Sequence, residues 1–387
     1  MINVLKIRSN NFNEQPIGSL KKLFIGSFLI LFAFYFSGCE ICNGVENTGG
    51  DPSEEIYFTA SPENSNYPNI YKTTPQGTTI TNLVSNGISF SSPSNTGKIT
   101  FIRKNTLDGS SNLFIADYNG ANSRLLVSDN DIFTINYPVI SPNGRYIGFN
   151  GGNSKLIYHD VNSGSVFNLI TTRLAAGSIP SFSENSKYIA FVEGDGTSLG
   201  FTIKVIDAES SDIVKVVYSK SLGNINFSDN IEKNIRWSND SKSIIFTVRN
   251  SNDDDVYLIN IENSTERIVK IQNSTVGGNH SVLSPNNDYI AVSGTDGNIW
   301  VVFIATNDYK FSKITNSDGF ERNFQPKWST KGDKLLFNSS SPLDSEIYST
   351  LICTEIQFSS VIASPVKSFI LSNNVYRGFW NFNKEKI

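Results

Sequence analysis

The chain reads as an all-β protein, a seven-bladed β-propeller of four-stranded antiparallel blades, on three observations. First, a short polar turn followed by an aliphatic–aromatic strand recurs six times, as SPSNTGKITF at 92–101, SPNGRYIGF at 141–149, SENSKYIAF at 183–191, SNDSKSIIF at 238–246, SPNNDYIAV at 284–292 and STKGDKLLF at 329–337. The copies end at Phe101, Phe149, Phe191, Phe246, Val292 and Phe337, a period of 42 to 55 residues. Several short strands per period of that length are the mark of propeller blades. Second, every period carries further apolar runs bounded by turn formers. Third, one more unit is split between the two ends of the chain.

Taken in order, Ile56-Tyr57-Phe58-Thr59-Ala60 has no polar turn before it, so it reads as the second strand of a unit, and Asn69-Ile70-Tyr71-Lys72 as the third. In the whole units the corresponding third runs are Leu113 to Asp117, Leu156 to Asp160, Ile203 to Asp207, Val256 to Asn260 and Ile299 to Phe303. Short runs rich in Ile, Val, Tyr and Phe between Asn, Asp, Gly and Ser are strands joined by tight turns. Many are apolar at successive positions, which suits strands covered on both faces. At the far end, Trp380 to Ile387 parallels Trp237 to Ile244. The prediction is a closing blade whose innermost strand comes from the C-terminal segment and whose other strands come from the N-terminal one. Joining the ends in this way removes exposed sheet edges.

The turn strands approach the pattern Pro-x-Trp-Ser-Pro-Asp-Gly-Lys-x-Ile-Ala-Phe in Gln325-Pro326-Lys327-Trp328-Ser329, Tyr137-Pro138-Val139-Ile140-Ser141-Pro142-Asn143-Gly144-Arg145, Pro180-Ser181-Phe182-Ser183 and Ile235-Arg236-Trp237-Ser238. Over about residues 56 to 387 the chain therefore resembles the TolB-like propellers, whose WD-like repeats also occur in prolyl oligopeptidase-type propellers. Ile140, Phe182, Leu283 and Ser91 depart from the Trp of the pattern, so periodicity carries the resemblance more than any one copy. The resemblance implies a ring that acts as an adaptor for a protein partner.

Lys21 and Lys22 precede an apolar run from Leu23 to Phe36, then Ser37-Gly38-Cys39. A basic start, a short apolar segment and small residues describe a secretory signal. A membrane span needs about 20 apolar residues. Phe36-Ser37-Gly38-Cys39 also resembles a bacterial lipobox, with Phe36 where Leu is usual. The expectation is a signal peptide over 1–38, a lipidated (palmitate-bearing) Cys39 with a flexible tether over 39–55, and the propeller over 56–387. Residues 1–19 are polar and Met1 is the only methionine, which suggests a true start near residue 20 from a non-AUG codon. Peptides from 1–19 in the unprocessed protein would refute that start. The location expected is a bacterial cell envelope, periplasmic or outer surface, with the protein held on a membrane by lipid.

Aromatic residues are 12% of the chain, with 27 Phe and 15 Tyr, enough to fill layers between blades. The net charge of −4 argues against nucleic acid as a partner. Three cysteines are present, Cys39, Cys42 and Cys353. An exported protein can pair Cys42 with Cys353, but a free Cys42 and a buried Cys353 are the favoured reading. No cofactor and no metal site is expected. Asp253-Asp254-Asp255, read as a loop, lacks the Gly and distal Glu of an EF-hand, and Glu193 with Asp195 reads as another solvated loop.

No catalytic residue is assigned. A Gly-x-Ser-x-Gly elbow is missing, and the only histidines are His159, inside an apolar strand, and His280, at the start of an inner strand. Binding is expected at one face of the ring, in loops 61–68, 103–112, 193–201, 248–255 and 338–345 and in inter-blade segments 222–233 and 315–324. Tyr137, Asn234, His280, Gln325 and Arg377, which open inner strands, are the candidates for the channel mouth. Two functions stay open: a monomeric, non-enzymatic adaptor for an envelope protein, and a propeller that binds or processes carbohydrate or peptide in its central funnel.

Overall fold

The computed structural model describes residues 54–62, 67–91, 93–105, 107–128, 135–151, 155–168, 179–194, 201–220, 235–249, 254–271, 279–317, 321–340 and 349–380. Cys39, Cys42, Asn234 and Asp253 lie outside them, as do the signal, most of the tether, the segment after Trp380 and most residues of the candidate loops. Strands β1 (Ile56–Ala60), β2 (Asn69–Thr73) and β3 (Thr81–Val84) come first. Blade 1 is β4 (Gly87–Phe90), β5 (Lys98–Lys104), β6 (Ser111–Asp117) and β7 (Arg124–Val127). Blade 2 is β8 (Asn136–Ile140), β9 (Tyr146–Gly151), β10 (Lys155–Asp160) and β11 (Val166–Asn168). Blade 3 is β12 (Ser181–Phe182), β13 (Tyr188–Gly194), β14 (Phe201–Asp207) and β15 (Ile213–Lys220). Blade 4 is β16 (Arg236–Trp237), β17 (Ser243–Arg249), β18 (Asp254–Asn260) and β19 (Glu266–Ile271). Blade 5 is β20 (Asn279–Leu283), β21 (Tyr289–Ser293), β22 (Ile299–Phe303) and β23 (Lys310–Lys313). Blade 6 is β24 (Arg322–Trp328), β25 (Lys334–Ser340), β26 (Ser349–Ser359) and the first part of β27 (Ile362–Trp380).

Blade 7 is the shared one. The end of β27 pairs antiparallel with β1, Tyr57 opposite Phe379, and β2 and β3 complete the sheet. Its register, Trp380 opposite Ile56, repeats that of Trp237 opposite Ile244, so Ile56 stands where Ile244 stands in blade 4. Because β27 also pairs with β26, blades 6 and 7 form one seven-stranded sheet. Glu54, just before β1, adds an ion pair to Lys334 of β25 at 2.8 Å, with side chains 6% and 14% exposed. Two readings change: β18 begins at Asp254, so Asp254 and Asp255 belong to a strand and not to a loop, and β13 runs to Gly194, so Glu193 is a strand residue ion-paired with Lys204 of β14 and not part of a solvated loop.

The repeated turn has a simple chemistry. Ser141 Oγ accepts the Tyr146 amide at 2.9 Å and donates to Asn143 Oδ1 at 2.7 Å. The same pair of bonds recurs at Ser183 with Asn185 and Tyr188, at Ser238 with Asp240 and Ser243, and at Ser284 with Asn286 and Tyr289. A short polar side chain bonding backbone two to five residues on is what makes Ser and Asn turn formers. The Gly place of the turn is left-handed, φ +71° at Gly144. Ser186 and Ser241 stand there in blades 3 and 4 with φ +60° and +62°. Such a backbone costs an L-residue about 1–2 kcal/mol, and each hydroxyl offsets it by accepting an amide from the preceding blade: Asn143 N to Ser186 Oγ and Asn185 N to Ser241 Oγ, both 2.9 Å.

The Trp place also joins blades. Trp237 Nε1 donates to Ser181 O at 2.9 Å and Trp328 Nε1 to Val282 O at 3.3 Å, each reaching the inner strand of the blade before. The Tyr188 ring of blade 3 stacks on Trp237, and Tyr146 of blade 2 on Phe182. Among the described residues, most buried apolar side chains accordingly fall into seven clusters, each spanning one pair of neighbouring blades. That explains the doubly apolar strands: all five residues of β1 and of β21 are buried. Full burial of an aliphatic side chain contributes about 1.5–3 kcal/mol, so these layers supply most of the stabilisation.

Candidate functional site

Side chains alternate along the inner strands, so if the Trp place packs towards a neighbouring blade, the residue before it faces the axis. Those residues, Val139, Ser181, Arg236, Val282 and Lys327, line one central cavity of about 270 Å³, and the Trp-place residues Ile140, Phe182, Trp237, Leu283 and Trp328 border it too. Pro93, Pro142 and Pro285 from the turns also line it, as do Tyr137 and Pro138 of β8 and Pro180 just before β12. The cavity thus collects residues of blades 1 to 6 around the axis and extends to the end where the repeated turns lie. Its charged lining is Arg236, Lys327 and Glu184. Apolar walls with a few placed polar groups are the usual make-up of a binding cavity.

Three of the candidate channel-mouth residues, one each in β8, β20 and β24, share one backbone device. Tyr137, His280 and Gln325 are left-handed, with φ of +52°, +54° and +58°. Each sits where the inner strand carries an extra residue against β9, β21 or β25. Bulges of this kind bend a strand and re-aim its side chains, and they are enriched beside binding sites. His280 and Gln325 are buried, at 8% and 7% exposure. Gln325 Oε1 has no hydrogen-bond partner among the described residues. Tyr137 alone of the three lines the central cavity. Arg377 lies in β27 opposite Thr59, and Asn234 is outside the described residues.

The other titratable candidates read as structural. His159 is buried in β10, and burial first, then the charge of Arg124, lowers its proton affinity below the ordinary imidazole value. Cys353 is a buried free thiol whose pKa burial pushes up to about 12, a state in which a thiol is unreactive. Among the described residues no group of three His, Cys, Asp or Glu side chains is placed to hold a metal ion. No helix among them is long and apolar enough to cross a membrane. Arg236, Lys327 and Glu184 escaped the sequence reading, although their place beside the Trp and turn positions was a usable signal.

Similar solved structures share the fold at low identity. TolB from Acinetobacter baumannii is 15% identical, with 84% of this chain and 82% of that one covered and a TM-score of 0.46. A protein from Lactobacillus plantarum is 11% identical over 84% of this chain and 99% of its own, with a TM-score of 0.54. A prolyl endopeptidase is 17% identical over 74% of this chain and 44% of its own, with a TM-score of 0.53. No curated protein sequence matches. The model of the TolB beta propeller domain matches residues 94–350, well over half of the chain, and the protein therefore belongs to that family.

Proposed function

We propose that the protein is a lipid-anchored cell-envelope adaptor whose propeller binds a protruding segment of an envelope protein at the central cavity. The carrying observation is the cavity itself, walled by inner strands and turns of six blades with Val, Pro and aromatic side chains. A rigid ring presenting one concave apolar site suits recognition of a projecting chain segment. Anchoring rests on Lys21, Lys22, the run to Phe36 and Cys39, with signal over 1–38 and tether over 39–55. One acyl chain gives only marginal attachment, and several give stable attachment.

Crosslinked affinity capture from membranes tests the binding claim. The expected result is a discrete protein partner recovered by the native chain and lost about tenfold on Ser181→Trp, which fills the cavity from its wall. Undiminished capture with the filled cavity would overturn the assigned site. Tyr137→Gly is the milder probe: it removes the ring from the wall while suiting the left-handed backbone, so affinity should fall while the chain keeps a cooperative thermal unfolding transition. Mass spectrometry of the mature N terminus tests the anchor, and an uncleaved 1–38 or an unmodified Cys39 would refute it.

A further inference from the structure

Three blades place a long cation at the same point of their outermost strand. Arg124 of β7 lies opposite Ile115, Lys215 of β15 opposite Val205 and Arg267 of β19 opposite Leu258. Each of those partners stands two residues before the residue that opens the next turn, Asp117, Asp207 or Asn260. In blade 3 the cation is used internally, Lys215 Nζ donating to Ile261 O of blade 4. In blade 4, Arg267 donates to Ile304 O and, at 2.9 Å, to Thr306 O of blade 5. The matching acceptor for Arg124 is the carbonyl of Val161, because Val161, Ile261 and Ile304 each donate their amide to the turn strand of their own blade. That bond is not made. Arg124 is exposed and has no hydrogen bond or ion pair among the described residues.

A cleft of about 250 Å³ lies there instead, lined by Arg124 and Val161 together with Lys98, Arg145, Asn143 and Asn162. Lys98 is held by Asp117 at 2.5 Å, while Arg145 is held by Asp160 at 3.1 Å and by Glu209 at 3.4 Å. The uncompensated charge in the cleft is therefore that of Arg124, flanked by two fixed cations and by side-chain amides. A guanidinium with its fork open matches the paired oxygens of a phosphate better than any other common group.

We infer that the cleft between blades 1 and 2 is a binding site for a phosphate group, with Arg124 as its principal ligand. The phosphate belongs to a small free phosphate or to a lipid headgroup. This inference stands apart from the adaptor reading, since it uses neither the central cavity nor the anchor.

Isothermal titration of the full chain with inorganic phosphate, and separately with short-chain dihexanoyl phosphatidylglycerol below its micelle concentration, tests the site at low ionic strength. Binding of either probe that weakens at least tenfold in Arg124→Gln, and is unchanged in Lys215→Gln, supports the site. Which probe binds then identifies the source of the phosphate. Binding of neither probe, or equal binding by the native chain and Arg124→Gln, overturns it, as does a heat signal reproduced by sodium chloride at matched ionic strength.

Discussion

The gap between blades 3 and 4 and the gap between blades 1 and 2 have the same architecture but are closed differently. At the first, Trp237 donates to Ser181 O, Ser241 takes the Asn185 amide and Lys215 reaches Ile261 O. At the second, the corresponding residues are Ile140, Gly144 and Arg124: no indole, no hydroxyl and no cation bond. One backbone bond from Asn95 N to Pro142 O at 2.7 Å and an apolar cluster around Ile140, Ile147 and Phe149 hold it. The gap between blades 1 and 2 is thus closed by an apolar cluster and a backbone bond, without the indole and hydroxyl bonds of the gap between blades 3 and 4, so side-chain bonding at these places differs from blade to blade. Where it is omitted, polar groups become available to a ligand.

The largest effect is expected at a third gap, the closure between blades 6 and 7, which sets the scale for the other two. Glu54→Gln leaves the half-buried Lys334 with only Asp333, at 3.2 Å. Breaking a buried pair outright costs about 3–5 kcal/mol. With Asp333 retained, about 2 kcal/mol is expected at neutral pH, read by urea unfolding. Burial works to lower the proton affinity of Lys334, but its bonds to Glu54 and Asp333 outweigh burial and raise it above the ordinary 10.5. A raised lysine adds stability below the unfolded value and loses it as pH climbs through the folded one. The native chain should therefore destabilise above about pH 10.5 more steeply than Glu54→Gln. Parallel pH profiles would remove the pair from the closure.

How much of this was legible without coordinates depends on whether a feature repeats in sequence. The polar turn recurs at a regular spacing with Ser at its head and an apolar strand behind it, so blade number, strand order and the split closure followed from Phe101 through Phe337 and from Trp380. The outer strands share no such pattern. Arg124, Lys215 and Arg267 fall into one class only through their pairing with Ile115, Val205 and Leu258, and that register depends on bulges within the sheets. The channel residues fall between these cases. Tyr137, His280 and Gln325 were found by position, but their common left-handed backbone was invisible because none is glycine. Arg236 and Lys327 were masked by the adjacent Trp, which drew attention as the motif residue.

The turn position compares the two gaps most directly. Ser241→Ala keeps the left-handed backbone and removes the acceptor for Asn185 N, so it should cost about 1–1.5 kcal/mol. Ser241→Gly loses the same bond but relieves the backbone by about 1 kcal/mol, for a net change near zero. Gly144→Ala in blade 2 should cost about 1–2 kcal/mol, because φ is +71° and the new Cβ would lie 2.2 Å from Thr96 Oγ1. Chemical unfolding that ranked Ser241→Gly as the worst of the three would reverse the account of Ser at the Gly place.

The smallest effect is also the sharpest contrast. Lys215→Met and Arg124→Met remove a cation from equivalent positions while keeping much of the apolar stem that packs along the strand. At blade 3 the change deletes a bond to a backbone carbonyl and leaves Ile261 O without it, for about 1 kcal/mol. At blade 1 no hydrogen bond or ion pair of the described residues is lost, so stability should stay within about 0.5 kcal/mol. Fluoride or chloride would leave that difference intact, whereas saturating phosphate should stabilise the native chain and Lys215→Met but not Arg124→Met, since a ligand adds stability only to a folded state that binds it. Equal losses from the two substitutions would mean that Arg124 bonds across its gap as Lys215 does, and that the two gaps differ in sequence alone.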